Sequence, residues 1–258
     1  MSISMSTGLF ELKYSESEAG ESALLERHCH FRFEIIAVMS GSIDIMIEGQ
    51  TYRCKKGEMA VIPPLTYHSV TSSDTSEYKR ITALFDGNIL PETIIGRLTA
   101  SGKSTPIYSH PSISYLIENL HGAIVKGDTE VYSPLANAIA TQLIYTCADD
   151  SSADKAESRI VDGGVLEKAI EYIDLHIAEK LSLENISQAL FISRSSLCHI
   201  FTERMNISPK QYIIQKKMAY ATMLIENGMP LTHAARAVGY ENYSNFYRMY
   251  KKTGARGG

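Results

Sequence analysis

Four side chains in the first third of the chain have the types and the spacing to hold a metal ion or a small polar molecule: His28, His30, Glu34 and His68. Two histidines one residue apart on a strand project from the same face, and a glutamate four residues further on returns to it. With His68 supplied from a neighbouring strand, three imidazole nitrogens and one carboxylate make a set suited to Zn²⁺, Fe²⁺, Mn²⁺ or Ni²⁺, with coordination positions left for a bound molecule. The same residues also suit hydrogen bonding to an organic ligand with no metal, and a purely structural role is a third reading. Tyr52 and Tyr67 beside the histidines would favour a small polar ligand such as a sugar or an organic acid. Cys29, between the two histidines, should face the other way and take no part as a ligand.

Strands must position that set. Residues 32–85 read as a series of short ones: Ile43, Ile45 and Ile47 alternate with Asp44, Met46 and Glu48, the pattern of a strand with one buried face. Gly49-Gln50 is a two-residue hairpin turn, Lys55-Lys56-Gly57 closes the next strand, and Pro63-Pro64 ends another that covers 59–62. Many short strands at this spacing indicate a barrel or a sandwich. Apolar residues then recur at helical spacing over 112–125 and 132–147, among them Ile113, Leu116, Ile117, Leu120 and Ile124. Residues 148–164, polar and ending in Gly-Gly, read as a linker, so the spacing predicts a first domain over 1–147 and a second over 165–258.

The second domain reads as all helical, beginning with an apolar stripe over 165–180. Within it a pattern repeats. Leu183-x-x-Ile186 followed by Ser193, Leu197 and Phe201 is matched 48 to 49 residues later by Leu231-x-x-Ala234 followed by Asn242, Phe246 and Tyr250. Each copy has a short helix, a tight turn, a polar cap and a second helix with apolar residues four apart, which is the layout of a helix-turn-helix. Ser208-Pro209-Lys210-Gln211 starts the long helix between them, through an N-cap serine, a proline at the first helical position and a glutamine placed for a capping box. Burying the apolar positions turns Arg194, Ser195, Ser196 and His199 outward on the first unit and Asn242, Tyr243, Ser244, Asn245, Tyr247 and Arg248 on the second, where base edges or phosphates could be met. Lys217, on the connecting helix, is a further candidate for DNA contact.

Bulk composition separates the function classes. The 258 residues are 44% hydrophobic, enough for real cores, and four cysteines without C-x-x-C spacing fit reduced thiols better than a disulfide framework. No segment has the apolar length to span a bilayer, so a cytoplasmic protein is expected. The net charge of −4 hides an asymmetry: from Leu181 onward ten Lys and Arg stand against four Glu, while fifteen basic residues face twenty-five acidic ones before it. A basic tail on an acidic body suits a DNA-reading module joined to a sensor.

Residues 183–254 resemble the DNA-binding domain of the AraC/XylS family of transcription regulators. The resemblance rests on Ala234-Ala235, Val238-Gly239-Tyr240 and Phe246-x-x-x-Tyr250-Lys251-Lys252 in the second unit, and on Ser193, Leu197 and Phe201 in the first. Ser208-Pro209-x-x-Tyr212 with Lys217, Met218 and Ala221 resembles the family's connecting helix. Asn206 stands where the family has glycine, and Ala255-Arg256-Gly257-Gly258 replaces its closing proline and Tyr-Arg helix. In the first domain, His28-x-His30-x-x-x-Glu34 with Gly41, then Gly57, Pro63 and His68, resembles the two motifs of the cupin barrel, with Leu65 in place of a glycine.

The resemblance implies an α+β protein: a cupin-like barrel with helices that senses a small-molecule effector and dimerises, followed by two helix-turn-helix units on a long helix. It implies double-stranded DNA as a partner, a homodimer, and RNA polymerase as a further partner of an activator. It implies no enzymatic activity. A metal-dependent cupin enzyme with an accessory helical domain is the competing reading, using the same four residues, but it leaves the duplicated unit and the basic tail without a purpose. Coupling between the domains is expected to run through the helices within 112–147.

Overall fold

A computed structural model describes residues 1–17, 28–72, 77–99, 106–149 and 164–254. Among the described residues nine strands come first: β1 (Ser2–Ser6), β2 (Phe10–Ser17), β3 (Phe33–Ser40), β4 (Ser42–Ile47), β5 (Gln50–Lys55), β6 (Glu58–Ile62), β7 (His68–Ser72), β8 (Tyr78–Phe85) and β9 (Ile107–Ser109). They form an antiparallel six-stranded sheet in the order β1-β2-β8-β3-β6-β9 and a three-stranded sheet in the order β5-β4-β7. β1 and β2 precede the strand region read from the sequence. Helix α1 (Glu92–Thr99) lies between β8 and β9, and α2 (Pro111–Lys126) and α3 (Thr129–Ala148) follow β9.

Alternation along β3 shows how the layers pack. Phe33, Ile35 and Ala37 join the core beneath α2 and α3, together with Ile81, Ala83 and Phe85 of β8 and with Ile113, Ile117 and Leu143 of the helices. Ile36 and Val38 point the other way, into a second core with Ile43 and Ile45 of β4, Ile62 of β6 and Val70 of β7. β3 is therefore buried on both faces, and Glu34 is the one charged residue in it. Ionised carboxylates do not enter such a strand without partners.

The hairpin between β4 and β5 turns on Glu48 and Gly49, one residue earlier than the sequence suggested. Ile47 pairs with Gln50, and both turn residues have positive φ, 47° and 82°. That combination suits the tight type I′ geometry whose twist matches the flanking strands.

The second half holds α4 (Val165–Leu175), α5 (Leu183–Ala189), α6 (Arg194–Met205), α7 (Pro209–Glu226), α8 (Leu231–Ala237) and α9 (Tyr243–Gly254). α4 stops at Leu175, short of the end expected at residue 180. The start of α7 is as read: Ser208 and Gln211 form a reciprocal capping box with Pro209 at the first position. α7 is about 27 Å long at about 1.5 Å per residue. Its first half, through Tyr212 and Ile213, completes the core of α4, α5 and α6, and its second half, through Met218 and Ala221, completes that of α8 and α9. Asn206 caps α6 with φ of 51°, so asparagine serves the left-handed position expected of glycine. Of the linker expected at 148–164, residues 150–163 lie outside the described residues, as do 255–258, where the chain departs from the family pattern.

Candidate functional site

His28, His30, Glu34 and His68 do converge. One ligand atom from each lies within 4.8 Å of all the others. Glu34 enters from β3, His68 opens β7, and His28 pairs with His68 in an antiparallel bridge. Glu34 Oε2 accepts from His30 Nε2 at 3.0 Å and from His68 Nε2 at 2.7 Å. His28 Nε2 stands 4.0 Å from the same oxygen. On the far side of the rings, Nδ1 of His30 donates to the Arg32 carbonyl and Nδ1 of His68 to the Thr66 carbonyl, both at 2.9 Å. A carbonyl only accepts, so Nδ1 donates in both rings, and the Nε2 atoms turned inward toward Glu34 would give up their protons to bind a metal.

The electrostatics follow from burial. Burial alone would raise the Glu34 carboxyl, but the hydrogen bonds from His30 and His68 hold it far below the usual carboxylate range. Burial opposes a charge on His68, which is 1% exposed, yet Glu34 outweighs it and the imidazole is raised. Arg80, 6% exposed on β8, feels the charge of Glu34 but forms no ion pair among the described residues.

Tyr67 is not part of this site. Its ring is 1% exposed and packs against Tyr212 and the α4, α6 and α7 core, because its neighbour His68 takes the opposite face. Cys29 likewise turns away from the histidines into the same core. Sequence reasoning missed Glu48 altogether, since its role depends on contacts with Tyr212 and Lys216, more than 160 residues away.

In the second half of the chain the two units take the expected form. Leu197, Phe201 and Phe246 are buried at 0% exposure, while Arg194, Ser195, Ser196, His199, Asn242, Tyr243, Ser244, Asn245, Tyr247 and Arg248 are all exposed. Several are held in place. Arg194 pairs with Glu184 at 2.6 Å, Arg248 donates to Asn245 at 3.1 Å, and Asn242 caps the Asn245 amide at 3.0 Å.

Lys217 does not belong with them. It is 5% exposed, and its ammonium donates to the carbonyls of Glu179 at 2.5 Å and Val238 at 2.6 Å. A side chain spent on two backbone carbonyls inside the domain cannot meet a phosphate. Lys217 is a brace between the two units.

Comparison with known proteins agrees with both halves. Residues 186–255 match the family model described as a helix-turn-helix domain, and residues 17–144 match that of the AraC-like ligand binding domain. The "Uncharacterized HTH-type transcriptional regulator YdiP" of Escherichia coli is 26% identical over 84% of this chain and 74% of its own length. The "Arabinose operon regulatory protein" of Salmonella typhimurium is 23% identical over 80% of this chain and 75% of its own. The "Probable transcriptional regulator LumQ" of Photobacterium leiognathi is 30% identical, but over 31% of this chain and 33% of its own length, so the chain spans a third of that relative. Among the described residues no helix is long and apolar enough to cross a membrane.

Proposed function

We propose, since this chain belongs to the AraC family of transcription regulators, that it binds a specific double-stranded DNA site through its two helix-turn-helix units under the control of a small molecule held at His28, His30, Glu34 and His68. The observation that carries the reading is the pair of similar units on the two halves of α7. Each exposes a polar helix face, and the helix between them is comparable in length to the ~34 Å between successive major-groove faces. Arg194 and Arg248 are the residues best suited to guanine edges or phosphates, and Ser195, Ser196, His199, Asn242, Tyr243, Ser244, Asn245 and Tyr247 fill the rest of the two faces.

The effector site fits a divalent transition metal by the chemistry of its donors. The two part-buried hydrogen bonds at Nδ1 are of the kind that orient a ligating histidine. Nε2 of His28, His30 and His68 and a carboxylate oxygen of Glu34 would hold Zn²⁺, Fe²⁺, Mn²⁺ or Ni²⁺, which would supply a Lewis acid for an oxygen-bearing effector. The chain's own residues set what enters: a half-exposed His28 at the rim, and a buried His68 and Glu34 within. A homodimer through α2 and α3, and RNA polymerase as a further partner where the protein activates, complete the reading.

The test is selection of bound fragments from sheared DNA of the source genome by purified full-length protein at two salt concentrations, beside an Arg194→Ala, Arg248→Ala double variant. Discrete enriched sites that the variant loses are expected. Equal, salt-sensitive binding of all fragments by both proteins, or no binding by either, would overturn it.

A further inference from the structure

Residues 28–30 and 65–68 form a wall shared between the histidine-glutamate cluster and the core of the first reading unit. The two segments are joined back to back: His28 N–H donates to the His68 carbonyl at 3.1 Å, and His68 N–H to the His28 carbonyl at 3.0 Å. His30 O accepts from Leu65 N–H at 2.7 Å. Extended backbone sends neighbouring side chains to opposite faces. One face carries His28, His30 and His68. The other sends Cys29 and Tyr67 into the cluster built by Leu166, Ile170, Phe201 and Tyr212. Cys29 lies near enough to Lys216, Glu48 and Asp174 to feel their charges, though burial is the largest influence on its thiol and pushes it up.

Glu48 fastens this wall to α7. Its Oε1 accepts from the Tyr67 N–H at 2.9 Å and from Lys216 Nζ at 3.3 Å, and its Oε2 from the Tyr212 hydroxyl at 2.9 Å. Its own N–H donates to the Tyr67 carbonyl at 2.9 Å. Lys216, with its side chain 5% exposed, also holds Asp174 of α4 at 2.7 Å. Beside it, a Cβ on Gly49 would come within 2.6 Å of Leu166 Cδ2, so the hairpin tip is pressed against α4. The junction is not sealed: a cleft of about 570 Å³ opens next to it, between Ile47, Gln50 and Tyr52 on the barrel side and Glu167, Ile170 and Glu171 on α4. The junction thus combines a small apolar contact through Cys29, Met46 and Tyr67 with part-buried polar bonds beside an open cleft, the kind of contact between domains at which relative motion is the ordinary expectation.

We propose that Glu48 is a latch between the two halves and that the state of the histidine-glutamate cluster sets it. The inference rests on the reading of that cluster as the effector site. An occupant that repositions His28 and His68 repositions Cys29 and Tyr67 on the reverse of the same wall. Tyr67 supplies both backbone groups that orient Glu48. An occupant with unequal affinity for the two arrangements therefore shifts the latch. The groove-facing residues stay exposed while the latch is closed, so docking aims the first unit relative to the barrel and does not cover it. Coupling by this route does not need α2 and α3.

Hydrogen exchange of the full-length protein, read by mass spectrometry on peptides from α4 and the first half of α7, tests the latch with no DNA present. Glu48→Ala should speed exchange there by roughly tenfold and leave α8 and α9 unchanged. Glu34→Gln, which touches the latch only through the cluster, should shift the same peptides by about threefold or more in either direction. His30→Gln serves as the second perturbation, with β3 and β8 peptides showing in each variant that the barrel is folded. Unchanged α4 and α7 exchange in Glu48→Ala would remove the latch. A response to Glu48→Ala with none to either cluster variant in a folded barrel would remove the coupling. Failure of the protein to select DNA would sink the regulator reading and leave the exchange result intact.

Discussion

The Lys217 ammonium, reaching from α7, sits 2.6 Å from the Val238 carbonyl and 2.5 Å from that of Glu179, and so ties the turn of the second reading unit to the segment after α4. Gly239, next in the chain, has φ of 74° and presses against the same carbonyl so tightly that a Cβ would lie 2.5 Å from it. Lys217→Met keeps the length and removes the donor, leaving two inward carbonyls without a partner. Charged hydrogen bonds are worth about 1.5–3 kcal/mol each, so the loss of two is expected to cost about 3–6 kcal/mol by urea unfolding. DNA affinity should fall because the units lose their fixed relation, while the dependence of affinity on salt keeps its slope. A slope lower by about one charge would instead show Lys217 on a phosphate.

Phe191 poses the opposite situation. It takes φ of 55° in the turn between α5 and α6 and is 95% exposed. The turn is held by backbone bonds, Phe191 N–H to the Gln188 carbonyl at 3.2 Å and Ile192 N–H to that of Ser187 at 3.0 Å. The side chain thus adds strain and no packing. Phe191→Gly should raise stability by about 1 kcal/mol in thermal or urea unfolding, since a left-handed non-glycine residue costs about 1–2 kcal/mol and the added chain entropy returns part of it. A loss of stability would mean that the ring packs in solution.

What the sequence made legible was local. Period-two and helical spacing located β4, β6 and most of α2 to α9; the four site residues were legible by type and spacing, but His28 and His30 stand ahead of β3, with bends at 31 and 32, and reach Glu34 through the bridge to His68 and not along one continuous strand. The hairpin tip slipped by one residue because Glu48 accepts a left-handed φ, which composition does not advertise. α4 ended early because nothing at 176–180 competes strongly with the turn that the His176 ring caps through the Tyr172 carbonyl. Lys217 was misread because an amphipathic side chain on an outwardly polar helix looks solvent-facing until the carbonyls of Glu179 and Val238 are in place. Tyr67 was misassigned for the same kind of reason: its face was readable, but what covered that face came from the other domain.

The donor set of the barrel makes a spectroscopic prediction. Cobalt(II) titrated into the protein should give visible d–d absorption that saturates at one equivalent, and Glu34→Gln or His30→Gln, each removing a ligand, should weaken binding by more than the roughly 10- to 100-fold typical of losing a group that only orients one. Nickel(II) should compete for the same site. Absence of any cobalt band at millimolar metal would leave an organic ligand or a purely structural role for the four residues.

The outer face of α3 predicts the assembly. Val131, Leu135 and Tyr145 are exposed at 60%, 49% and 44%, and with Ala138 and Gln142 they follow steps of four and three residues, the spacing that lets two helices lie side by side. Tyr115 on α2 is also exposed, at 68%. A second copy of the chain presents the same stripe, so pairing buries it symmetrically. Sedimentation of the full-length protein at micromolar concentration should show a dimer, and Leu135→Glu should yield a monomer. Because Leu135 already faces solvent in the single chain, its unfolding free energy should change by no more than about 0.5 kcal/mol. DNA affinity should drop by more than that figure implies, since each dimer engages four reading units and each monomer two. A Leu135→Glu protein that still sediments as a dimer would move the interface off α3.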